Sequence, residues 1–376
     1  MSIDLGRILR FAIENGASDI HLKVPSPPAL RLHGTLERIP KAPPLTSADT
    51  ERFLREMLAD YPDKLQEFEE MGGADFSHAR DGIGRFRVNA FRQRGSVSLV
   101  MRAVPFKVPE LHELNLPEAV RALADEERGI VLVTGTTGSG KSTTLGAMID
   151  HINRTTKKHI VTVEDPIEIL HTDRLSIINQ REVGIDTGSF ADAMRRVMRQ
   201  DPDIILVGEI RDLVTMETAL NAAETGHLVF STLHTLDATE TVNRAIGFFP
   251  LHQQMQVRAM LAGTLKGVIS QRLVKTQGGA GRVPACEVMV TTGRARDFIL
   301  DPEQTGNLSE VIREGEFYGM QTFDQSLFGH VTEGRITVDE AMRAASSPHD
   351  FKLMLEAGQA RRGEPQLSAE PVAQTA

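Results

Sequence analysis

The sequence of 376 residues has one cysteine, no tryptophan and two tyrosines. A single cysteine, Cys286, excludes an intrachain disulfide and any zinc site built from cysteine pairs, and it fits a reducing compartment. With so little tryptophan and tyrosine, stacking on bases would rest mainly on phenylalanine, which disfavours a single-strand nucleic-acid binder. The net charge of −9 also argues against a surface designed broadly for nucleic acid.

Long apolar runs are missing as well. No stretch of about 18 apolar residues occurs, and the first residues form neither a secretory leader nor an Arg-rich transit peptide. We therefore expect a cytoplasmic protein. Apolar residues at 40% and charged residues at 25% are typical of a globular chain, and the hydrophobic pattern is lost only near the C-terminus.

The first hundred residues alternate short extended segments with amphipathic helices. A helix is predicted from Ile3 to Glu14, and a second one after a cap at Thr46 or Ser47. Strands are predicted at Asp19 to Val24, Ala29 to Leu32, Thr35 to Ile39, Arg85 to Phe91 and Val97 to Val104. Residues 1–104 therefore predict a small α+β domain.

The pattern changes after a proline-rich stretch at 105–117, which we interpret as an inter-domain linker. Beyond it, β-branched strands alternate with helices, which is typical of an α/β fold with a mainly parallel sheet. These strands are Gly129 to Thr134, His159 to Val163, Ile204 to Val207 and His227 to Thr232. The second domain is predicted at 118–359, ending in helices broken at Gly334 and Pro348, and residues 360–376 are expected to be a disordered tail.

The clearest motif is G-x-x-x-x-G-K-[ST], flanked by an apolar strand and a helix. It consists of Gly135, Thr136, Thr137, Gly138, Ser139, Gly140, Lys141 and Ser142, with Thr143 next in the helix. Backbone amides and the helix N-terminus would converge on the phosphates of ATP. Lys141 would reach the β- and γ-phosphates and Ser142 would hold Mg²⁺. The alternative is a glycine-rich turn that binds nothing.

A second strand delivers a carboxylate, Glu209, at the sheet edge where ligands bind in parallel sheets. We predict that Glu209 aligns the attacking water and accepts its proton. Gly208 stands where a magnesium-binding Asp is usual, so the metal would rest on Ser142 and waters. The alternative is that Glu209 only pairs with Arg211 or another surface cation.

Three further residues at strand ends are weaker candidates. Glu164 follows a strand and would share the task of positioning water or bind Mg²⁺ through water, although an acidic loop before a proline is common without a function. His234 lies at the ligand edge of its strand and would sense the γ-phosphate. His227 lies at the other end of that strand and would need a neighbouring subunit. A purely structural role remains the alternative for both histidines.

Arginines recur on two of the N-terminal strands. Arg85 and Arg87 share one strand face, opposite Phe86 and Val88, and Arg102 lies on the next strand. Such arginines can stabilise charge on a transferring phosphate. A solvated strand face is the alternative, and spacing alone favours it.

Taken together, these segments resemble the type IV pilus retraction ATPases of the secretion ATPase superfamily over about residues 1–356. Carriers of the resemblance also include Gly16 to Leu22, Gly84 to Asn89, Val163 to Glu168, Asp201 to Asp212 and Gly319 to Gln325. The resemblance implies a PAS-like N-terminal domain, a RecA-like ATPase domain and a homo-hexamer with ATP between the domains. It also implies that Glu164 belongs to an Asp box, Glu209 to an atypical Walker B, and His227 and His234 to a His box. Arg87 and Arg102 match arginines that face the γ-phosphate.

The same resemblance implies a motor for pilus retraction, with ATP and Mg²⁺ as cofactors and an inner-membrane platform protein as partner. It would act peripherally, at the cytoplasmic face of the inner membrane. Relatives that drive assembly usually carry a longer N-terminal region and a four-cysteine zinc site, which this sequence lacks. The stretch Arg294 to Asp301 keeps only part of the A-I-R-N-L-I-R-E signature of retraction ATPases, so an accessory motor working with a paralogous ATPase is an alternative. Direct binding of nucleic acid is not expected, but a DNA-uptake motor, a related assembly or secretion ATPase and a slow nucleotide-gated assembly factor remain open.

Overall fold

A computed structural model describes residues 4–105, 108–279 and 281–362, with side chains up to residue 358. The chain divides into two compact units. Unit 1 comprises Met1–Lys107, Val163–Thr172 and Gln180–Asp192, and unit 2 comprises Val108–Thr162, Asp173–Asn179 and Ala193–Ala376. The segment that follows the predicted linker thus contributes to both units.

Unit 1 contains an antiparallel sheet and three helices among its described N-terminal residues. The helices are α1 (Leu5–Glu14), α2 (Ser47–Met57) and α3 (Pro62–Met71). The strands are β1 (Asp19–Leu22), β2 (Ala29–Leu32), β3 (Thr35–Arg38), β4 (Gly73–Arg80), β5 (Gly84–Gln93) and β6 (Ser96–Val104). Their order in the sheet is β3-β2-β1-β6-β5-β4. The helix α3 and the strand β4 were not predicted from the sequence.

One face of this sheet is apolar and the other is polar, as the alternation in β5 predicts. Phe86 and Val88 are buried in the core of unit 1, together with one side of α1. Arg85 and Arg87 point to the opposite face, where both are partly exposed. Burial of each large apolar side chain contributes about 1.5–3 kcal/mol, so the core fixes which face carries the arginines.

The remaining elements follow in chain order. They are α4 (Glu118–Ala124), β7 (Gly129–Thr134), α5 (Lys141–Thr155), β8 (His159–Glu164), β9 (Ile177–Glu182), α6 (Phe190–Val197), β10 (Ile204–Val207), α7 (Leu213–Glu224), β11 (Leu228–Leu233), α8 (Ala238–Gly247), α9 (Gln254–Thr264), β12 (Leu265–Lys275), β13 (Arg282–Val290), α10 (Gly293–Leu300), α11 (Leu308–Glu314), α12 (Phe323–Thr332), α13 (Val338–Ala344) and α14 (Pro348–Arg362). Short 3₁₀ helices occur at Leu111–Leu114, Leu251–Gln253, Thr305–Asn307 and Glu316–Tyr318.

The second sheet has the strand order β13-β12-β7-β11-β10-β8-β9. The neighbours β12, β7, β11 and β10 pair in parallel, and β12 pairs with β13 as an antiparallel hairpin. Every residue of β7, β10 and β11 is buried, which explains their mainly apolar sequences. The predicted mixed α/β architecture with a mainly parallel sheet is confirmed, whereas β9, β12 and β13 were not predicted.

The C-terminal helices begin and end close to the predicted positions. Gly334 follows α12 and adopts a positive φ of 70°, and Pro348 is the first residue of α14. The helix α14 continues to Arg362, so the first residues of the predicted tail are helical. Residues 363–376 of that tail, and Phe106 and Lys107 of the predicted linker, lie outside the described residues. No helix in the described ranges combines the length and apolarity needed to cross a membrane.

Candidate functional site

The glycine-rich motif forms the loop between β7 and α5 in unit 2. Gly135, Gly138 and Gly140 all have positive φ angles, which other residues rarely adopt. Gly140 caps α5 without a side-chain hydrogen bond. The first N–H groups of a helix have no partner within the helix, so this N-terminus presents unpaired donors and a positive dipole end to an anion.

Gly135 shows how closely the loop packs. A Cβ atom at this position would lie 2.4 Å from the carbonyl oxygen of Gln271 and 2.6 Å from Oγ of Ser139. A shift of the β12 backbone would disrupt its strand pairing, so only glycine fits at position 135. The first glycine of the motif is therefore required by the fold of the loop.

Lys141 is buried at the start of α5 and turns back onto its own loop. Its Nζ donates hydrogen bonds to the carbonyl oxygens of Gly135 at 2.7 Å and Thr136 at 3.0 Å. Burial lowers the pKa of Lys141, and the nearby carboxylate of Glu209 opposes this effect. The ammonium is thus held against the carbonyl oxygens of the loop that is expected to bind phosphate.

Hydroxyl groups complete the loop. Oγ of Ser139 is buried and has no hydrogen-bond partner among the described residues, whereas Thr136, Thr137 and Ser142 are exposed and Thr143 is half-buried. No cluster of three His, Cys, Asp or Glu residues that could hold a metal occurs in the described parts of the chain. Within the loop, the exposed hydroxyl of Ser142 is an oxygen that a metal could use as a ligand.

Glu209 lies two residues after the buried strand β10, at the strand end that was predicted for it. Its Oε2 accepts a hydrogen bond from Arg211 at 2.8 Å, and its Oε1 lies 3.2 Å from Nε2 of His234. Burial acts to raise the pKa of Glu209, but Arg211 and His234 together hold that pKa below its ordinary value. The carboxylate is therefore ionised at neutral pH and has two cationic or hydrogen-bonding neighbours.

The parallel pairing of β10 with β11 brings His234 to Glu209. Oγ of Ser231 donates to the carbonyl oxygen of Val207 at 2.8 Å, and Oγ1 of Thr232 donates to that of Gly208 at 2.7 Å. These bonds tie the carboxyl ends of the two strands together. As a result, the residues that follow both strands meet at one edge of the sheet.

His227 lies at the opposite end of β11 and does not join this group. Its Nδ1 lies 3.0 Å from the carbonyl oxygen of Ala222 and 3.2 Å from Oγ1 of Thr225. The ring is half-buried. Within unit 2, the two histidines of the segment are therefore in different environments.

The remaining predicted residues belong to unit 1. Arg87 and Arg102 are direct partners on the neighbouring strands β5 and β6. Glu164 accepts hydrogen bonds from Nε2 of Gln180 at 3.2 Å and from the backbone N–H of Glu168 at 3.3 Å. Unit 1 thus brings the two arginines together, and Glu164 has one partner in its own acidic segment and one on β9.

Two buried polar residues near these groups were not assigned a role from the sequence. Nε2 of Gln271, on β12, donates to Oγ1 of Thr144 in the first turn of α5 at 2.9 Å. Asp19, on β1, accepts a hydrogen bond from Nε of Arg102 at 2.9 Å. Asp19 belongs to a segment that carried the family resemblance, but Gln271 had no signal because β12 was not predicted.

The model of the family "Type II/IV secretion system protein" matches residues 81–344. Among curated relatives, a type IV pilus retraction ATPase, PilT, of Pseudomonas aeruginosa is 45% identical over 93% of this chain and 100% of its own length. The type IV pilus ATPase PilU of the same organism is 39% identical over 95% of this chain and 92% of its own length. A twitching motility protein of Neisseria gonorrhoeae is 43% identical over 87% of this chain and 86% of its own length.

Two solved structures of related ATPases are also similar to most of this chain. A crystal structure of the pilus retraction motor PilT with bound ADP is 46% identical, with a TM-score of 0.83 over 93% of this chain and 98% of that chain. The ATPase DotB of Legionella pneumophila is 28% identical, with a TM-score of 0.71 over 94% of this chain and 95% of that chain. The chain therefore belongs to the family of type II/IV secretion system proteins, as the resemblance of its motifs predicted.

Proposed function

We propose that this chain is an ATP-hydrolysing motor that drives retraction of a type IV pilus and works as a homo-hexamer. The observation that carries the proposal is the phosphate loop, in which buried Lys141 donates hydrogen bonds to loop carbonyls next to the N-terminus of α5, which has no side-chain cap. The similarity to PilT along 93% of the chain connects this ATP site to pilus retraction. ATP hydrolysis supplies the work that withdraws the pilus.

ATP is the cofactor that this loop fits, and Mg²⁺ is the ion that accompanies it. The loop amides and Lys141 would bind the phosphates, and the exposed hydroxyl of Ser142 would hold the metal together with waters. When bound, Mg²⁺ neutralises charge on the phosphates. The lack of an Asp at Gly208 fits a site with few protein ligands.

Glu209 is proposed to hold the attacking water and to accept its proton. Its low pKa keeps it ionised, so one oxygen can accept a hydrogen bond from water while the other stays with Arg211. His234, which lies 3.2 Å from the same carboxylate, is proposed to sense the γ-phosphate. Glu164 is proposed to share the positioning of water, and His227 to act towards a neighbouring subunit.

Arg87 and Arg102 are proposed to stabilise the charge that develops on the γ-phosphate. Both are exposed in part and lie next to each other on one sheet face, which suits joint recognition of a phosphate. Arginines in this role contribute about 10³- to 10⁵-fold in related phosphoryl transfers.

The finer architecture is part of the same proposal. We propose a PAS-like domain at 1–104 and a RecA-like ATPase domain at 118–359, joined by the linker 105–117. The partners would be an inner-membrane platform protein of the pilus and, in some settings, a paralogous ATPase. With these partners, the motor would act at the cytoplasmic face of the inner membrane.

The experiment that tests the function is deletion of the gene followed by counting of surface pili. Retraction predicts that pili accumulate and twitching stops, and that the wild-type gene restores both while a Lys141→Ala variant does not. Loss of surface pili would contradict retraction and support an assembly ATPase. ATPase activity stimulated by DNA, or tight salt-sensitive DNA binding, would support a DNA motor instead.

A second candidate is an accessory retraction motor that needs a paralogue. The observation in its favour is the incomplete retraction signature at Arg294 to Asp301, which lies mostly in α10 and keeps only the exposed Arg296, the buried Ile299 and the terminal acid. The chain is also 39% identical to PilU. If deletion of the paralogue alone stopped retraction although this chain was still present, and if this chain restored retraction only alongside its paralogue, the accessory role would be supported.

A further inference from the structure

Asp19 is a buried carboxylate directly beside an exposed arginine. It is the first residue of β1 and only 6% exposed, whereas the side chain of Arg102 is 68% exposed. The two residues are partners across β1 and β6. Oδ1 of Asp19 accepts a hydrogen bond from Nε of Arg102 at 2.9 Å. The carboxylate of Asp19 thus holds the Nε end of a guanidinium that is otherwise exposed to solvent.

The Asp19 carboxylate is itself held from its other side. Oγ of Ser18 donates to Oδ2 at 2.8 Å, and Nε of Arg31 lies 3.8 Å from the same oxygen. Burial acts to raise the pKa of Asp19, but the hydrogen bonds from Ser18 and Arg102 keep it below its ordinary value. The carboxylate is therefore ionised and has little freedom to move.

The bond to Asp19 uses only the Nε–H of Arg102. Among the described residues, none forms a hydrogen bond with either terminal nitrogen of this guanidinium. Arg87 differs, because its terminal NH1 donates to Oε1 of Glu168 at 2.8 Å. Glu168 therefore occupies one terminal nitrogen of Arg87, whereas Asp19 leaves both terminal nitrogens of Arg102 accessible.

Both arginines line a cleft of about 480 Å³ within unit 1, and Asp19 lies at its wall. We infer that Asp19 is a positioning residue for Arg102: it fixes the guanidinium so that both terminal nitrogens are available to a phosphate. The inference rests on the proposed function, in which Arg102 stabilises charge on the γ-phosphate. An arginine held in place in advance acts in the transition state without reorganising.

The test is the ATPase activity of the assembled protein with Asp19→Asn. Asparagine keeps the shape and an acceptor oxygen but removes the charge. We expect kcat to fall by about tenfold or more, because misplacement of a catalytic group by about 1 Å can cost up to 100-fold. KM for ATP and the Kd for ADP should change less than about twofold. The matched control is Asp75→Asn, on the same sheet face, whose carboxylate accepts a hydrogen bond from the neutral Asn89.

A double-mutant cycle with Arg102→Ala separates positioning from a structural role. If Asp19 acts through Arg102, Asp19→Asn should lower kcat no further in the Arg102→Ala background. Equal losses in both backgrounds would overturn the inference, as would an unchanged kcat in Asp19→Asn when Arg102→Ala is impaired. If Arg102→Ala itself keeps full turnover, the proposed role of Arg102 fails first, and the inference fails with it.

Thermal unfolding shows whether each variant is folded, so that a low kcat is not mistaken for a failure to fold. If Asp19→Asn does not fold, Ser18→Ala takes its place, because Ser18 is exposed and its hydroxyl donates to the Asp19 carboxylate at 2.8 Å and only at 3.4 Å to the carbonyl oxygen of Arg31. We expect a smaller fall in kcat for Ser18→Ala, again absent in the Arg102→Ala background. An unchanged kcat, or a fall that persists in that background, would overturn the inference.

Discussion

Arg87 on β5 lies directly opposite Arg102 on β6. Like charges in this arrangement repel each other across the strands. Each guanidinium has its own carboxylate, because Glu168 lies 2.8 Å from Arg87 and Asp19 lies 2.9 Å from Arg102. Two acids from separate parts of unit 1 therefore allow two arginines to lie side by side.

Removal of both acids should destabilise the protein by more than the sum of the single changes. In a cycle of Asp19→Asn and Glu168→Gln, we expect a coupling in the free energy of unfolding of a few tenths to about 1 kcal/mol. The value is small because both arginines are well exposed to solvent. Urea unfolding at low salt measures it. The coupling should largely vanish in about 1 M NaCl, where the screening length is about 3 Å, and persistence there would contradict charge repulsion as its cause.

Lys141→Ala should abolish most ATP turnover. The change removes the ammonium that lies in the loop, so we expect kcat/KM to fall by at least about 100-fold with weaker nucleotide binding. Phosphate release and binding of a fluorescent ATP analogue measure the two effects. Lys157→Ala is the control, because Lys157 is exposed just after α5. Wild-type turnover in Lys141→Ala would contradict the assignment of the phosphate loop.

Glu209→Gln should separate binding from hydrolysis. The amide keeps the size of the side chain but cannot accept a proton, so we expect turnover to fall by at least about tenfold while ATP binding remains. Single-turnover hydrolysis and equilibrium binding test this. Glu217→Gln, at an exposed position of α7, should behave like the wild type. Intact hydrolysis in Glu209→Gln would show that the base lies elsewhere.

His234→Gln should change how turnover depends on pH. His234 and Arg211 hold the pKa of Glu209 low, so loss of His234 should raise that pKa. The carboxylate would then need a higher pH to ionise, and the acidic limb of the kcat profile should move to higher pH. His252→Gln, in an exposed 3₁₀ turn, is the control. An unmoved acidic limb would mean that Glu209 does not limit the rate on that side.

Glu287 predicts a pH dependence of stability. This buried residue of β13 accepts a hydrogen bond from the N–H of Ala238, and Asp237, Arg272 and Asp324 are the charged groups that act on it. Burial raises its pKa to about 7 from 4.5, so the folded state binds a proton that the unfolded state releases. The contribution of Glu287 to the free energy of unfolding is therefore greatest below about pH 4.5. It decreases as the pH rises towards 7, by about 3 kcal/mol at most.

The substitution Glu287→Gln removes this titration while it keeps an oxygen for the Ala238 N–H. Relative to the wild type, the variant should gain stability as the pH increases from 5 to about 8. Chemical unfolding at several pH values measures the difference. Glu310→Gln, at an exposed site of α11, should show no such trend. A difference independent of pH would contradict the raised pKa.

Much of the fold could be predicted because its signals are local. The alternation of Phe86 and Val88 with the arginines of β5 follows from the two-residue period of a strand, and Thr46 caps α2 through hydrogen bonds within four residues. The elements that were missed have weaker local signals. In β12, polar residues such as Gln271 interrupt the apolar run, and they are buried only because α5 and β13 cover them.

The phosphate loop was determined by the sequence itself, because its glycines, Lys141 and Ser142 are contiguous and the turn conformation depends on neighbouring residues. Tertiary structure decided which partner each charged group meets. His234 reaches Glu209 because β11 pairs beside β10, whereas His227 lies at the far end of the same strand. Asp19 meets Arg102 although 83 positions separate them in the chain. The order of strands in a sheet depends on which apolar faces, from segments far apart in the sequence, are buried against each other. No local sequence pattern predicts that order.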